Sequence, residues 1–257
     1  MSSIYVIIVS IIAGLGAGIG TGIAGMSAAV VIAPMLITLC DMPAYQAVTI
    51  SLTADVVASA VSAYTYGKSG HLDIKDGLVM MVSVMVFTAI GSWLASYLPD
   101  IVLGSASYLL TIIMGIRFLV SPVTKTTSTM QQLDTKQRVT RSILAGIPIG
   151  LICGIVGAGG GMMMLLILTT ALGYPLKTAV GTSTFIMAFT AATGGISHMI
   201  IGGMPDLTAL IVCAIAAPIG ARLTSLFANK VDEKVLNRAT GAVLLALGIV
   251  MAIVSIF

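Results

Sequence analysis

The sequence predicts an all-α, polytopic membrane protein made of two inverted repeats of about five helical segments each, with short or re-entrant half-helices following Gly-rich turns. Three observations predict it. Of the 257 residues, 58% are hydrophobic and only 8% charged, against about 25% charged in soluble domains, which excludes a water-soluble globule. At ~20 apolar residues per crossing of a ~30 Å hydrocarbon layer, the length holds about ten segments and leaves no room for a soluble domain. Apart from Asp55 the charges fall between the segments or near their ends, and a net charge of +3 without a basic face excludes nucleic-acid binding.

Hydropathy, punctuated by charges and turn residues, places the segments at 4–22, 26–40, 44–66, 77–98, 101–120, 142–156, 160–172, 177–201, 207–227 and 235–256. The first opens as MSSIYVIIVSIIAG, with no Lys or Arg ahead of its apolar run and a glycine-rich stretch instead of a cleavage site behind it. It reads as a membrane segment, not a signal peptide. Segments 26–40 and 160–172 would rise only ~20 Å at 1.5 Å per residue, less than a crossing, and read as half-helices.

The extended polar stretch from Ser121 to Arg141 carries Lys125, Lys136, Arg138 and Arg141 against Asp134; the positive-inside rule makes it a cytoplasmic linker. Alternating crossings outward from it put Lys68, Lys75, Arg117, Lys177, Arg222, Lys230, Lys234 and Arg238 on the same side. The outer turns carry only Asp41, Asp100 and Asp206, and both termini face outward, into the periplasm. Expected domains are a first transmembrane repeat (1–120), the linker (121–141) and a second, inverted repeat (142–257). Inversion follows from parity, since five segments precede the linker and five follow it. An ungapped offset of 132 lays GIAGMSAA (22–29) on GIVGAGGG (154–161), Ala47-Val48 on Ala179-Val180, Ser51 on Ser183 and Gly70 on Gly202, with eleven identities over the 49 positions of 22–70. A later three-residue adjustment brings Ile90-Gly91 onto Ile219-Gly220. Inverted repeats with interrupted helices characterise secondary transporters.

The turns at 22–25 and 157–160 contain no charge, Asn or Pro. Such bends belong inside the membrane-embedded protein, where irregular backbone survives only if buried or lining a cavity. A helix starts after each, at Met26-Ser27-Ala28-Ala29 and Ala158-Gly159-Gly160-Gly161. Free N–H groups and the positive dipole end at such starts bind anions, and glycine lets the backbone come close. The expected binding residues are therefore Gly25, Met26 and Ser27 on one tip and Gly157, Gly159, Gly160 and Gly161 on the other. Packing is the competing reading for Gly14, Gly18, Gly22, Gly150 and Gly154, whose four-residue spacing suits close helix contact. Thr49, Ser51, Thr182, Ser183 and Thr184, early in the helix after each short one, are candidate donors to anion oxygens; the alternative is bonding to their own helix carbonyls.

Asp55 is the one carboxylate in the middle of a membrane segment, a costly placement that marks it as a candidate proton carrier. Its repeat counterpart is Met187. His198, near the outer end of its segment, is a second proton-coupling candidate. His71, in a loop with Asp73 and Asp76, reads as solvated, and Arg117 and Arg222 as snorkelling. Cys40, Cys153 and Cys213 have no paired spacing and read as small buried hydrophobes, and Met162 to Met164 as core filler. No metal or cofactor site is expected.

These residues resemble the TauE/SafE family of membrane permeases, or sulfite exporters, over nearly the whole chain. The likeness rests on G-x-x-x-G-I-V-G-A-G-G-G (150–161), Leu172-Gly173-x-Pro175, Ala179-Val180 and Gly181-Thr182-Ser183. The first half resembles the degenerate copy through Gly22, Gly25, Pro34, Pro43, Ala47-Val48 and Ser51, and Gly70-His71-Leu72-Asp73 is similar to a family loop. Met26-Ser27-Ala28-Ala29 departs from the usual glycine run, and Leu166 stands where Pro34 has its partner. The resemblance implies transport of sulfur-containing anions such as sulfite or organosulfonates, sulfoacetate among them.

The expected function is a non-enzymatic inner (plasma) membrane carrier that exposes an anion alternately to each side, with export favoured. Proton-coupled uptake of another small organic anion and a passive anion channel are the alternatives. A membrane-embedded hydrolase would need a positioned base or paired carboxylates, which the chain lacks. Expected partners are the small anion and the lipid bilayer, with no nucleic acid; a homodimer is left open.

Overall fold

The computed structural model describes residues 3–120, 134–156, 160–170 and 172–228, with scattered positions from 230 to 253. In chain order the helices are α1 (Ser3–Ala24), α2 (Ala29–Cys40), α3 (Ala44–Lys68), α4 (Ile74–Ala95), α5 (Asp100–Val120), α6 (Thr135–Val156), α7 (Gly160–Thr170), α8 (Leu176–Gly202) and α9 (Leu207–Ala228). The positions described between 234 and 253 are helical as well. There, a Cβ on Gly115 of α5 would lie 2.6 Å from the Leu245 nitrogen, so the tenth segment packs on α5. No strand occurs among the described residues. Six helices, α1, α3, α4, α6, α8 and α9, are long and apolar enough to cross a membrane. The half-helices α2 and α7 have 12 and 11 residues and rise about 18 and 17 Å.

Two boundaries differ from expectation. α1 continues through Gly22 to Ala24, so the first bend lies at 25–28 and not at 22–25. Gly22 is a packing residue: a Cβ there would overlap Thr224 and the Ala221 carbonyl of α9. The chain turns instead at Gly25, whose φ of +61° an L side chain resists. α6 begins at Thr135, inside the expected linker; residues 121–133 lie outside the described residues.

The packing is inside-out relative to a soluble protein. On α9 the large residues Ile211, Ile215, Ile219 and Leu223 face outward, at least half exposed, while the small residues Ala209, Cys213, Ala217 and Ala221 are buried. In lipid, apolar burial gives no preference, so close backbone approach and dispersion hold helices together. That is how α1 meets α9 and α4 meets α6. A Cβ on Gly14 would fall 2.8 Å from Ala216 Cβ, and one on Gly18 would overlap Ala217 and Ala221 main chain; Gly150 and Gly154 press likewise on Val84, Thr88 and Ser92 main chain. α3 packs on α8 in the centre, with α9 also against α3 and α4 against α8. The packing reading of these glycines is the one the geometry supports.

Corresponding turns share their geometry. Pro43 precedes α3 at φ −52°, ψ 134°, and Pro175 precedes α8 at φ −54°, ψ 141°. Asp41 and Gly173 are both left-handed, at φ 49° and 70°. Met42 N–H donates to the Leu36 carbonyl at 3.3 Å and Tyr174 N–H to the Leu168 carbonyl at 2.8 Å. All of these pairs keep the offset of 132. After α3 and α8 it becomes 133: left-handed Gly70 matches Gly203 rather than Gly202, and α4 meets α6 through 84 and 88 where α9 meets α1 through 217 and 221. These contacts line up with a single inserted residue and not with a three-residue adjustment.

Candidate functional site

The first bend is buried: Met26 and Ser27 are each 1% exposed and Ala28 and Ala29 fully enclosed. Its carbonyl side is satisfied by α3, where Tyr66 Oη–H donates to the Gly22 carbonyl at 3.0 Å, while Gly25 N–H reaches Thr21 at 3.0 Å. Its amide side is also occupied. Ala28 N–H bonds to the Asp55 carboxylate, and Ala29 N–H to Ser27 Oγ at 3.3 Å. Val30, Val31 and Ile32 donate to the carbonyls of Ser27 and Ala28.

Asp55, midway along α3 and fully buried, is therefore the anion at the start of α2. It also accepts Ser27 Oγ–H at 2.6 Å and Ser59 Oγ–H at 2.8 Å. A carboxylate with three donors at a positive dipole end is a satisfied buried charge.

The start of α7 meets the first bend. A Cβ on Gly161 would overlap the Gly25 carbonyl and lie 2.6 Å from Met187 Sδ. Gly25 in turn sits against α8, where its Cβ would lie 2.8 Å from Ser183 Oγ and 3.5 Å from Thr184 Cγ2. Gly160 faces α6, 3.2 Å from both Cβ and Sγ of Cys153 by the same construction. Gly157 and Gly159 lie outside the described residues. The structure thus brings Gly25, Gly161, Ser183 and Thr184 together between α3 and α8. Met26 does not turn toward them: its Cε would lie 2.8 Å from a Cβ on Gly20, within the core.

The hydroxyl protons are directed elsewhere. Thr49 donates to the Tyr45 carbonyl at 2.8 Å and Ser51 to Val48 at 2.8 Å. Ser183 donates to Val180 at 3.0 Å, and Thr184 to Val180 and Gly181 at 2.9 and 3.0 Å. Thr182 accepts Asp73 N–H at 3.0 Å, and Asp73 accepts Tyr174 Oη–H at 3.2 Å. That link ties the 70–73 loop to α8, with the His71 carbonyl resting on Gly181.

His198 lies away from the first bend and bonds to the last turn of α6. Its Nε2 meets the Gly154 carbonyl at 2.9 Å, so that nitrogen carries the proton, and its ring stacks on Tyr45 with centroids 4.2 Å apart. Gly154 belongs to the last turn of α6 before the second bend. Among the described residues no cluster of three or more His, Cys, Asp or Glu could hold a metal, and Cys40, Cys153 and Cys213 are free thiols.

The family signature named for this chain, Sulfite exporter TauE/SafE, matches residues 10–251. The chain belongs to the TauE/SafE family. It is 26% identical over 205 residues to a probable membrane transporter protein, YdhB, of Bacillus subtilis strain 168, covering 80% of this chain and 83% of the relative. It is also 26% identical over 269 residues to a second probable membrane transporter protein of that strain, YunE, covering 96% of both. No solved structure matches it. This TauE/SafE protein is a multi-pass membrane transporter.

Sequence reasoning about this TauE/SafE chain missed Ser59 and Tyr66. Ser59 had a signal, being four residues after Asp55 and hence on the same helix face. Tyr66 had none, because its partner Gly22 is 44 residues away.

Proposed function

We propose that the protein is a secondary transporter of small sulfur-containing anions, sulfite or organosulfonates such as sulfoacetate, working by alternating access across the plasma membrane with both termini outside. The observation that carries this reading is the meeting of the buried first bend, at Gly25, with the start of α7, at Gly161. At one of them a carboxylate is already bound by main-chain N–H and hydroxyl groups. The substrate's acid group docks at the other, the start of α7, where the sequence counterparts of Ser27, Ala28 and Asp55 are Gly159, Gly160 and Met187, so that a thioether stands in the place of the carboxylate.

Two inverted repeats are supported by the shared turn geometry and by helix pairing. Exchanging α1 with α6, α3 with α8 and α4 with α9 turns the α1 contact with α9 into the α6 contact with α4 and returns α3 with α8 to itself. Export is favoured because each negative charge leaving a negative interior gains about 2.3 kcal/mol per 100 mV. Proton-coupled uptake is the second reading, favoured by the burial of Asp55.

Thermal unfolding of the purified protein in a panel of sulfite, thiosulfate, sulfoacetate, taurine and non-sulfur carboxylates tests the substrate class. Stabilisation by a sulfonate or sulfite, and its loss in Gly160→Leu, is the expected result. Equal stabilisation of both proteins, or transport undiminished in Gly160→Leu liposomes, removes the second bend from the site.

A further inference from the structure

Outside the bends, α3 and α8 part along one edge to leave a groove of about 750 Å³. Its floor and walls are small: Ala60 and Ala63 on α3, Ala188 and Ala192 on α8. Phe189, 44% exposed, and Tyr64, 60% exposed, stand as ridges beside it. Phe185 packs edge-on against Phe189, with centroids 5.3 Å apart, stiffening that ridge. The groove runs from Val56 to Lys68, about 18 Å along the helix at 1.5 Å per residue. That matches one leaflet, half of a ~30 Å hydrocarbon layer.

Its two ends differ chemically. The inner end, at Val56, abuts the apolar core beside Asp55. The outer end is cationic: Lys68, which lines it, holds its Nζ over the Tyr64 ring at 4.8 Å. An apolar slot one leaflet long, closed at its inner end and ending in a lysine, has the shape and charge of a seat for one lipid. Its walls offer no polar group to a translocated anion along most of its length.

We propose that this groove binds an anionic phospholipid, with one acyl chain between Tyr64 and Phe189 and its phosphate at Lys68. The argument is independent of the substrate and of which side is cytoplasmic. Because α3 and α8 also carry Asp55, Ser183 and Thr184, the lipid wedges between the two helices that hold the bends.

The test is native mass spectrometry of the full chain released from nanodiscs of equal phosphatidylglycerol and phosphatidylcholine. The expected result is one retained lipid per chain, phosphatidylglycerol over phosphatidylcholine by at least about threefold, a preference within the range of charge-assisted contacts. Lys68→Gln should bring that ratio toward one while leaving a retained lipid. Ala188→Trp, filling the slot, should abolish retention of both; Ala60→Leu on the facing wall gives the same readout if the tryptophan variant does not fold. Equal retention of the two lipids by the unaltered protein overturns the proposal, as does undiminished retention in the filled variants. So does a second copy of the chain, released by Ala188→Trp, in place of lipid.

Discussion

Replacing Asp55 with Asn keeps the shape of the side chain and removes the charge on which the first bend converges. Ser27 Oγ–H at 2.6 Å, Ser59 Oγ–H at 2.8 Å and Ala28 N–H all point at that carboxylate. A hydrogen bond to a charged acceptor contributes about 1.5–3 kcal/mol and a neutral one about 0.5–1.5. Each of the three bonds therefore weakens by about 1 kcal/mol, and the asparagine NH2 must face one of the donors. The bend loses about 3 kcal/mol of restraint, which at 1.4 kcal/mol per tenfold is a hundredfold or more in local opening. Hydrogen exchange of a peptide covering 25–32 should accelerate by about that factor. Acid does reversibly what the substitution does permanently, because protonating Asp55 removes the same charge. Exchange in the unaltered protein should rise as pH falls and converge on the variant, and transport in proteoliposomes should lose its pH dependence in Asp55→Asn. An unchanged exchange rate together with an unchanged pH profile would refute the claim that this carboxylate holds the bend.

Further outcomes follow from the packing. Gly18→Leu and Gly150→Leu should each abolish a monodisperse peak in size-exclusion chromatography, since any Cβ there meets the main chain of α9 or α4 and overpacking of this kind costs about 1–3 kcal/mol or more. Gly16→Ala is the control: its Cβ would touch only Val31, at 3.7 Å, so the variant should unfold at the same temperature or higher, helix propensity adding up to about 1 kcal/mol. Thr182→Val removes the acceptor of the Asp73 N–H, a loss of about 0.5–1.5 kcal/mol for a part-buried bond; limited proteolysis should then cut faster within 70–73 while the helices stay intact.

How much of this was readable in advance depended on the range of the interaction. Helix positions were legible because a bilayer imposes a length that hydropathy reports directly, and the short α2 and α7 betrayed themselves by failing to reach it. The bend was misplaced by three residues because Gly22 and Gly25 are the same letter with different duties, one clearing space for α9 and the other supplying a left-handed φ. The oddity of Asp55 was legible from cost alone. Its role at the start of α2 was not, since Ser27 and Ala28 lie 28 and 27 positions earlier and reach it only through folding. For Thr49, Ser51, Ser183 and Thr184 the choice between a guest and a helix carbonyl is one of rotamer, which composition does not encode; in the structure all four turn back on their own helices.

The contact of α1 with α9 has a consequence for assembly. Its glycines bring no rotamers to freeze, so closing that seam costs little side-chain entropy, but the two helices are separated by nearly the whole chain. α4 and α6 can dock as soon as both have entered the bilayer. α1 must wait for α9, its glycine stripe turned to lipid or to temporary neighbours while the seven helices between them are made. This seam therefore closes only after α4 and α6 can have paired, and Leu245, beyond α9, still has to reach Gly115 of α5.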